Sequence, residues 1–254
     1  MFKKTILISA LLSSFLMASD IDMGVGYLSQ EMTGTITVKP DISGVDSVSI
    51  NDDKGTTSDN VYAYIDIKAI PFFPNVKFDY IAPSFNSDRL SATYTGTAGT
   101  GTTTTDGSYA LDSTQIGGYL YYNVLAWTDF ARLDLGIGAK YVDYTLDVVD
   151  NSTGTILYQD SDTVFIPVAY VHPEITLFDV SIGAEGKGVS YDGDTYYEVK
   201  AGLGYAFDLP VGKLGLEGGY YYSKLKTADD SSLFNDTDID ITTDGWYAGI
   251  NYQF

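Results

Sequence analysis

Apolar residues fall on alternate positions through segment after segment of this chain. Over 131–141, Ala131, Leu133, Leu135, Ile137, Ala139 and Tyr141 share one parity, and Arg132, Asp134, Gly136, Gly138 and Lys140 share the other. Successive side chains of a strand point to opposite faces, so a period of two sorts this segment into an apolar and a polar face. Its length is that of a strand crossing a bilayer at a tilt, a stretch of roughly 9–11 residues.

The same sorting recurs. Tyr197, Val199, Ala201, Leu203, Tyr205 and Phe207 stand against Glu198, Lys200, Gly202 and Gly204, and Leu214, Leu216, Gly218, Tyr220 and Tyr222 against Gly215, Glu217, Gly219 and Ser223. Shorter runs set Val61, Ala63, Ile65 and Ile67 against Tyr62, Tyr64, Asp66 and Lys68, then Val76, Phe78 and Tyr80 against Lys77 and Asp79. Val180, Ile182 and Ala184 oppose Ser181, Gly183 and Glu185. Three segments, 23–35, 109–122 and 164–171, carry apolar residues on both parities.

These runs predict ten strands, at 22–36, 60–69, 76–86, 108–122, 131–146, 163–172, 178–189, 195–207, 213–226 and 239–254. The expected fold is all-β: a transmembrane antiparallel up-and-down barrel of about ten strands, with eight as the next count. Bacterial single-chain barrels have an even number of strands, with short turns at one end and longer loops at the other. The expected connections alternate in this way. Segments 71–75, 123–130, 173–177 and 208–212 are short, whereas 37–59, 86–107, 147–162 and 227–238 are longer and polar. The link 190–194, built on Asp192-Gly193, is short on the long-loop side. This arrangement puts both termini in the periplasm.

The N-terminus fits export. Lys3 and Lys4 precede an apolar stretch from Ile6 to Met17, too short to span a bilayer, and the small Ala18 precedes polar Ser19 and Asp20. The expected organisation is a signal peptide over 1–18 and one barrel domain over 19–254, placed in the bacterial outer membrane. Removing Lys3 and Lys4 leaves 12 of the 14 basic residues against 34 acidic ones, a net charge of −22. Nucleic acid is excluded as a partner, because phosphate binding needs clustered cations. The 254 residues contain no cysteine, which excludes a disulfide scaffold and cysteine-ligated metal.

At the other end Trp246, Ala248, Ile250, Tyr252 and Phe254 share a parity, and the given sequence stops on the aromatic. This resembles the C-terminal assembly signal of outer-membrane proteins, and the resemblance implies the barrel-assembly machinery as a partner during biogenesis. Over nearly its whole mature length the chain resembles the small Gram-negative outer-membrane barrels, those of the OmpW and OmpA kind included. In size and glycine-rich strands, with Gly117-Gly118 and Gly218-Gly219, it is similar to the group called OMP_w_GlyGly. That group implies no chemistry to transfer. The class implies outer-membrane lipid and lipopolysaccharide as surroundings and a monomer as the working form.

The candidate site is the inner face of the barrel. By parity Asp66, Lys68, Lys77, Asp79, Arg132, Asp134, Lys140, Glu185, Lys187, Glu198, Lys200 and Glu217 point inward. Charge does not stay unpaired in a confined interior, so these residues are expected to form a network that plugs the lumen. The alternative is a narrow, charge-lined pore for small solutes or hydrophobic compounds. A barrel barely wider than the eight-stranded kind leaves little room for water, which favours the plug. The expected role is structural or surface-interacting.

Catalysis is not expected. The omptin proteases share the strand count and use Asp and His at the outer mouth, but the one histidine here, His172, sits before Pro173-Glu174 at an expected periplasmic turn. Lipid hydrolases of the outer membrane need His beside Ser, and no G-x-S-x-G elbow is present. The acidic stretch through Asp229, Asp230, Asp236, Asp238 and Asp240 lacks the order of a calcium loop and reads as solvated surface. No metal and no cofactor is expected. The tyrosine clusters Tyr119-Tyr121-Tyr122 and Tyr220-Tyr221-Tyr222 are expected mostly in interfacial aromatic girdles.

Overall fold

The computed structural model describes residues 20–38, 47–68, 73–88, 91–95, 107–125, 128, 130–151, 154–227 and 237–254. The expected signal peptide at 1–18, the Thr/Gly stretch 96–106 and the acidic residues 229–236 lie outside the described residues.

Every regular element among the described residues is a strand: β1 (Asp20–Val38), β2 (Ser47–Lys68), β3 (Asn75–Ile81), β4 (Ser84–Ser87), β5 (Ser91–Thr95), β6 (Gly107–Asn123), β7 (Ala131–Asp150), β8 (Thr155–Leu177), β9 (Val180–Tyr191), β10 (Asp194–Asp208), β11 (Lys213–Lys226) and β12 (Thr237–Gln253). All pairings are antiparallel, and β1 pairs with both β2 and β12, so the sheet closes on itself. At the seam Ile21 and Phe254 exchange backbone hydrogen bonds of 2.9 and 3.0 Å. Closure removes the unpaired edges that an open sheet would expose. β3 and β4 both pair with β6 and act as one stave, interrupted at Ala82-Pro83, where Pro83 supplies a carbonyl to the Ser113 amide but has no amide of its own. β5 folds back onto the outer part of β2. The result is a closed barrel of ten antiparallel staves.

Alternation decides which way each stave faces. Ile137 is 71% exposed and Trp246 69%, and Val61, Phe165, Ile182 and Leu203 lie on the same outer surface. An apolar outer surface of this extent is what a barrel presents to lipid. The three segments of mixed parity resolve the same way: Val164, Ile166, Val168 and Tyr170 are buried inside while Phe165 and Val171 face out.

Several boundaries differ from the expectation. β2 starts at Ser47, and β7 and β8 stay paired out to Asp150 and Thr155, so most of the expected loop over 147–162 is strand. The alternation fades there because the outer face meets water instead of lipid, and polar residues become acceptable on both faces. At the other end β8 continues through His172 and Pro173 to Leu177, and the turn falls on Phe178 and Asp179, both with positive φ (51° and 67°). The expected turn at 173–177 is thereby corrected. The β8–β9 ladder has no pairs at His172 and Pro173, where the missing proline amide leaves a gap. The Asp192-Gly193 turn forms as expected, with φ of 50° and 90°, the left-handed pair a two-residue hairpin turn requires.

Candidate functional site: the barrel lumen

The lumen is crossed at mid-height by charge. Lys187 on β9 pairs with Asp79 on β3, with Glu185 on its own strand (2.9 Å) and with Glu198 on β10 (2.7 Å). Lys77 on β3 pairs with Glu185, and Lys140 on β7 with Glu198. Strands β3 and β9 are not neighbours in the sheet, so these contacts reach through the interior. Nearer the end that carries the termini, Arg132 pairs with Asp134 (2.5 Å) and with Asp66 on β2 (3.3 Å), while Lys200 pairs with Glu217 (3.2 Å). Of the twelve residues expected to face inward, eleven meet in these pairs; Lys68 lines the cavity at the terminal end. Asp134 is wholly buried and Lys140 is 2% exposed.

Tyrosine binds this network together. The Tyr121 hydroxyl donates to Asp66 and receives from Arg132 at 2.8 Å; Tyr196 receives from Lys140 at 2.9 Å and donates to Glu198 at 2.8 Å; Tyr170 donates to Glu185 at 3.2 Å; Tyr62 donates to Glu217 at 2.5 Å. The Lys200 ammonium sits 4.1 Å above the rings of both Tyr62 and Tyr247, a geometry in which the ring faces stabilise the cation. Tyr119 and Tyr170 stack at 5.2 Å. The expectation that the tyrosine clusters serve mainly as girdles is therefore corrected: Tyr122 and Tyr220 face out, but Tyr119, Tyr121 and Tyr221 are buried inside.

Glycine makes the room. A Cβ on Gly136 would lie 2.6 Å from the Tyr121 Cβ, and one on Gly26 would lie 2.5 Å from the Tyr62 ring. The inward glycines of neighbouring strands are thus the floors on which the rings lie. The signal was legible: glycine and tyrosine share the inward parity in the same segments, a pairing of the smallest and among the largest side chains.

Asp79, Glu185 and Glu198 place carboxylate oxygens within 4.8 Å of one another, as a metal site would. The Lys187 ammonium already lies against all three. These residues therefore read as a carboxylate cage around an ammonium. His172 is a strand residue whose Nδ1 lies 3.4 Å from Asp134 and whose Nε2 lies 3.8 Å from Glu174. Of the acidic stretch, Asp240 is described, and it pairs with Lys224 (3.1 Å) and Lys226 (3.5 Å).

On either side of the charged band the lumen opens into a cavity. The one at the terminal end, about 260 Å³, is bordered by Asp22, Lys68, Arg132, His172, Glu174 and Lys213 among others. The one at the loop end, about 110 Å³, has a largely apolar wall. Sequence reasoning missed that wall, although apolar residues on both parities at 23–35, 109–122 and 164–171 were its trace.

Ten staves closed on themselves, an apolar outer surface and a lumen crossed by paired charge define an outer-membrane-type β-barrel protein. Among solved structures the chain is similar to the outer membrane protease OmpT from Escherichia coli, at 14% identity and a TM-score of 0.55, over 93% of this chain and 97% of that one. Weaker likenesses join it to the translocator domain of the autotransporter NalP from Neisseria meningitidis (10% identity, TM-score 0.42, 99% and 98% covered) and to OprG from Pseudomonas aeruginosa (10%, 0.39, 93% and 96%). The OmpT likeness concerns the fold alone. No protein-family model matches the sequence, and no curated protein matches it.

Proposed function

We propose that the chain is an outer-membrane barrel of structural or surface-interacting type, closed to solutes by the charged band in its lumen. The observation that carries this reading is Lys187, whose ammonium joins carboxylates from β3, β9 and β10 across the interior. Removing either sign from such a buried set leaves the other uncompensated, so the band holds itself in place. Both termini lie in the periplasm, the outer surface meets lipid and lipopolysaccharide, and the working form is a monomer. The outward row Trp246, Ala248, Ile250, Tyr252 and Phe254 offers the assembly machinery its contact, at the strand that closes the barrel.

A protease reading, which the OmpT likeness raises, gains no support from His172. That residue lies at the terminal end of the lumen against Asp134 and Glu174, away from the loops where an outer substrate would arrive.

Planar bilayer recording tests closure. Reconstituted protein is expected to give no steady current steps; steady single-channel steps would replace closure with a narrow pore selecting small solutes.

A further inference from the structure

The loop-end cavity differs in chemistry from everything beneath it. Its wall is built by Met32, Ile36, Leu111, Leu146, Ile166 and Ile239, from strands on several sides of the barrel. These are inward positions, and in a lumen open to water they would be polar. Met32, Ile36, Leu146, Ile166 and Ile239 are buried, so this end of the lumen packs as an apolar core around the cavity instead of standing as a solvated rim.

Several polar groups of the same wall already have partners. Gln115 donates to Ser113 at 3.3 Å, Tyr144 donates to Asp160 at 3.3 Å, and the Tyr196 hydroxyl belongs to the Lys140–Glu198 pair below. Gln30 stands apart from these. It is 2% exposed, it lines the cavity, and its Nε2 has no hydrogen-bond partner among the described residues. A buried amide donor left unpaired costs free energy, and an acceptor on a bound molecule relieves that cost. Charge narrows the choice further. Asp160 contributes a carboxylate to the wall, and among the described residues no Lys or Arg lines it, so an anionic ligand would meet repulsion there with no counter-ion from these residues.

Resting on the proposal of a closed barrel, we propose that the loop-end cavity binds a small uncharged molecule with an apolar body and one hydrogen-bond acceptor, its oxygen taken by Gln30 Nε2. The volume is on the scale of cavities that accept a single aromatic ring, about 150 Å³ in a well-studied engineered case. The ligand stops at the charged band, because that band offers an apolar body no desolvated path onward. The site is thus a dead-end receptor cup.

Calorimetric titration of the full chain in detergent micelles, with protein-free micelles as reference, tests this with acetophenone, ethylbenzene and benzoate. Acetophenone is expected to give a saturable one-to-one signal, with benzoate at least about tenfold weaker because it carries charge into an apolar wall. Gln30→Leu is expected to weaken acetophenone about fivefold, the worth of one neutral hydrogen bond, and to leave ethylbenzene unchanged. Ile241 and Leu225 also line the cavity, and filling it with Ile241→Trp, or with the milder Leu225→Phe, is expected to abolish or weaken both. Retained heat-modifiable gel migration reports that each variant is folded. No saturable signal above empty micelles, equal binding of benzoate, or unchanged binding in a folded cavity-filling variant would overturn the proposal. Failure of the closed-barrel reading is separate: it appears as current in the bilayer recording, whatever acetophenone does.

Discussion

Single residues decide whether the lumen is a solvated pore or a packed interior, and Lys140 is the clearest case. Its ammonium is 2% exposed, held by Glu198 and the Tyr196 hydroxyl. Lys140→Met keeps the stem and removes the charge, leaving Glu198 with Lys187 as its remaining cation. Breaking a buried pair from one side costs about 3–5 kcal/mol in soluble proteins, because the abandoned charge stays desolvated. Because Lys187 still faces Glu198, a loss toward the lower end of that range is expected in the urea unfolding of the protein in lipid vesicles. The double variant Lys140→Met, Glu198→Leu is expected to lose less than Lys140→Met alone, since Lys187 retains Asp79 and Glu185. A double variant weaker than both single ones would show that Glu198 acts on the lumen mainly through Lys187.

At the scale of elements, the argument turns on parity. In β7, Ile137 points out and its neighbours Gly136 and Gly138 lie inward under Tyr121 and Tyr119. Ile137→Arg would place a cation on the apolar outer belt, at a cost of about 2–4 kcal/mol near the bilayer midplane. Measured by unfolding in vesicles, this variant is expected to lose that amount; an unchanged midpoint would mean that this face does not meet lipid. The same parity explains what was legible in the sequence. Ala131 to Tyr141 could be sorted by eye because lipid lies on one side and charge on the other. The upper part of β8 could not, because Val164, Ile166 and Val168 line an apolar interior while Phe165 faces out, so both faces read alike. Past the bilayer the sorting fails again: Tyr158 to Asp162 stay in the β7–β8 ladder with no lipid to demand apolar residues. His172 and Pro173 read as a turn on proline chemistry alone, yet the ladder tolerates them because the missing amide falls where β9 makes no pair. The ion pairs themselves were foreseeable as a set of twelve inward residues, but not as partners. Lys187 and Asp79 are joined by barrel curvature, which no spacing along the chain encodes.

The whole molecule is a cylinder divided into two chambers, a charged one toward the termini and an apolar one toward the loops, with the band of lysines, carboxylates and tyrosines between them. Its rim is uneven: β8 runs for 23 residues, far beyond the roughly 9–11 needed to cross lipid, whereas β9 has 12. The tall side therefore extends past a lipid-crossing length, and its interior there is packed with the buried Leu146, Val148 and Val164. The division predicts how the barrel could be opened. Lys187→Ser with Tyr119→Ser removes the cation shared by Asp79, Glu185 and Glu198 and the ring stacked on Tyr170 beside it. What is left is an acidic constriction, and rings of carboxylates favour cations. In planar bilayers this variant is expected to pass a cation-selective current where the parent passes none. The comparison is made on protein that still shifts between unheated and boiled gel lanes, so that current is not mistaken for misfolding. A folded double variant that stays silent would move the barrier from Lys187 to the Arg132 pairs nearer the termini, where Asp66, Asp134 and Tyr121 form the next layer.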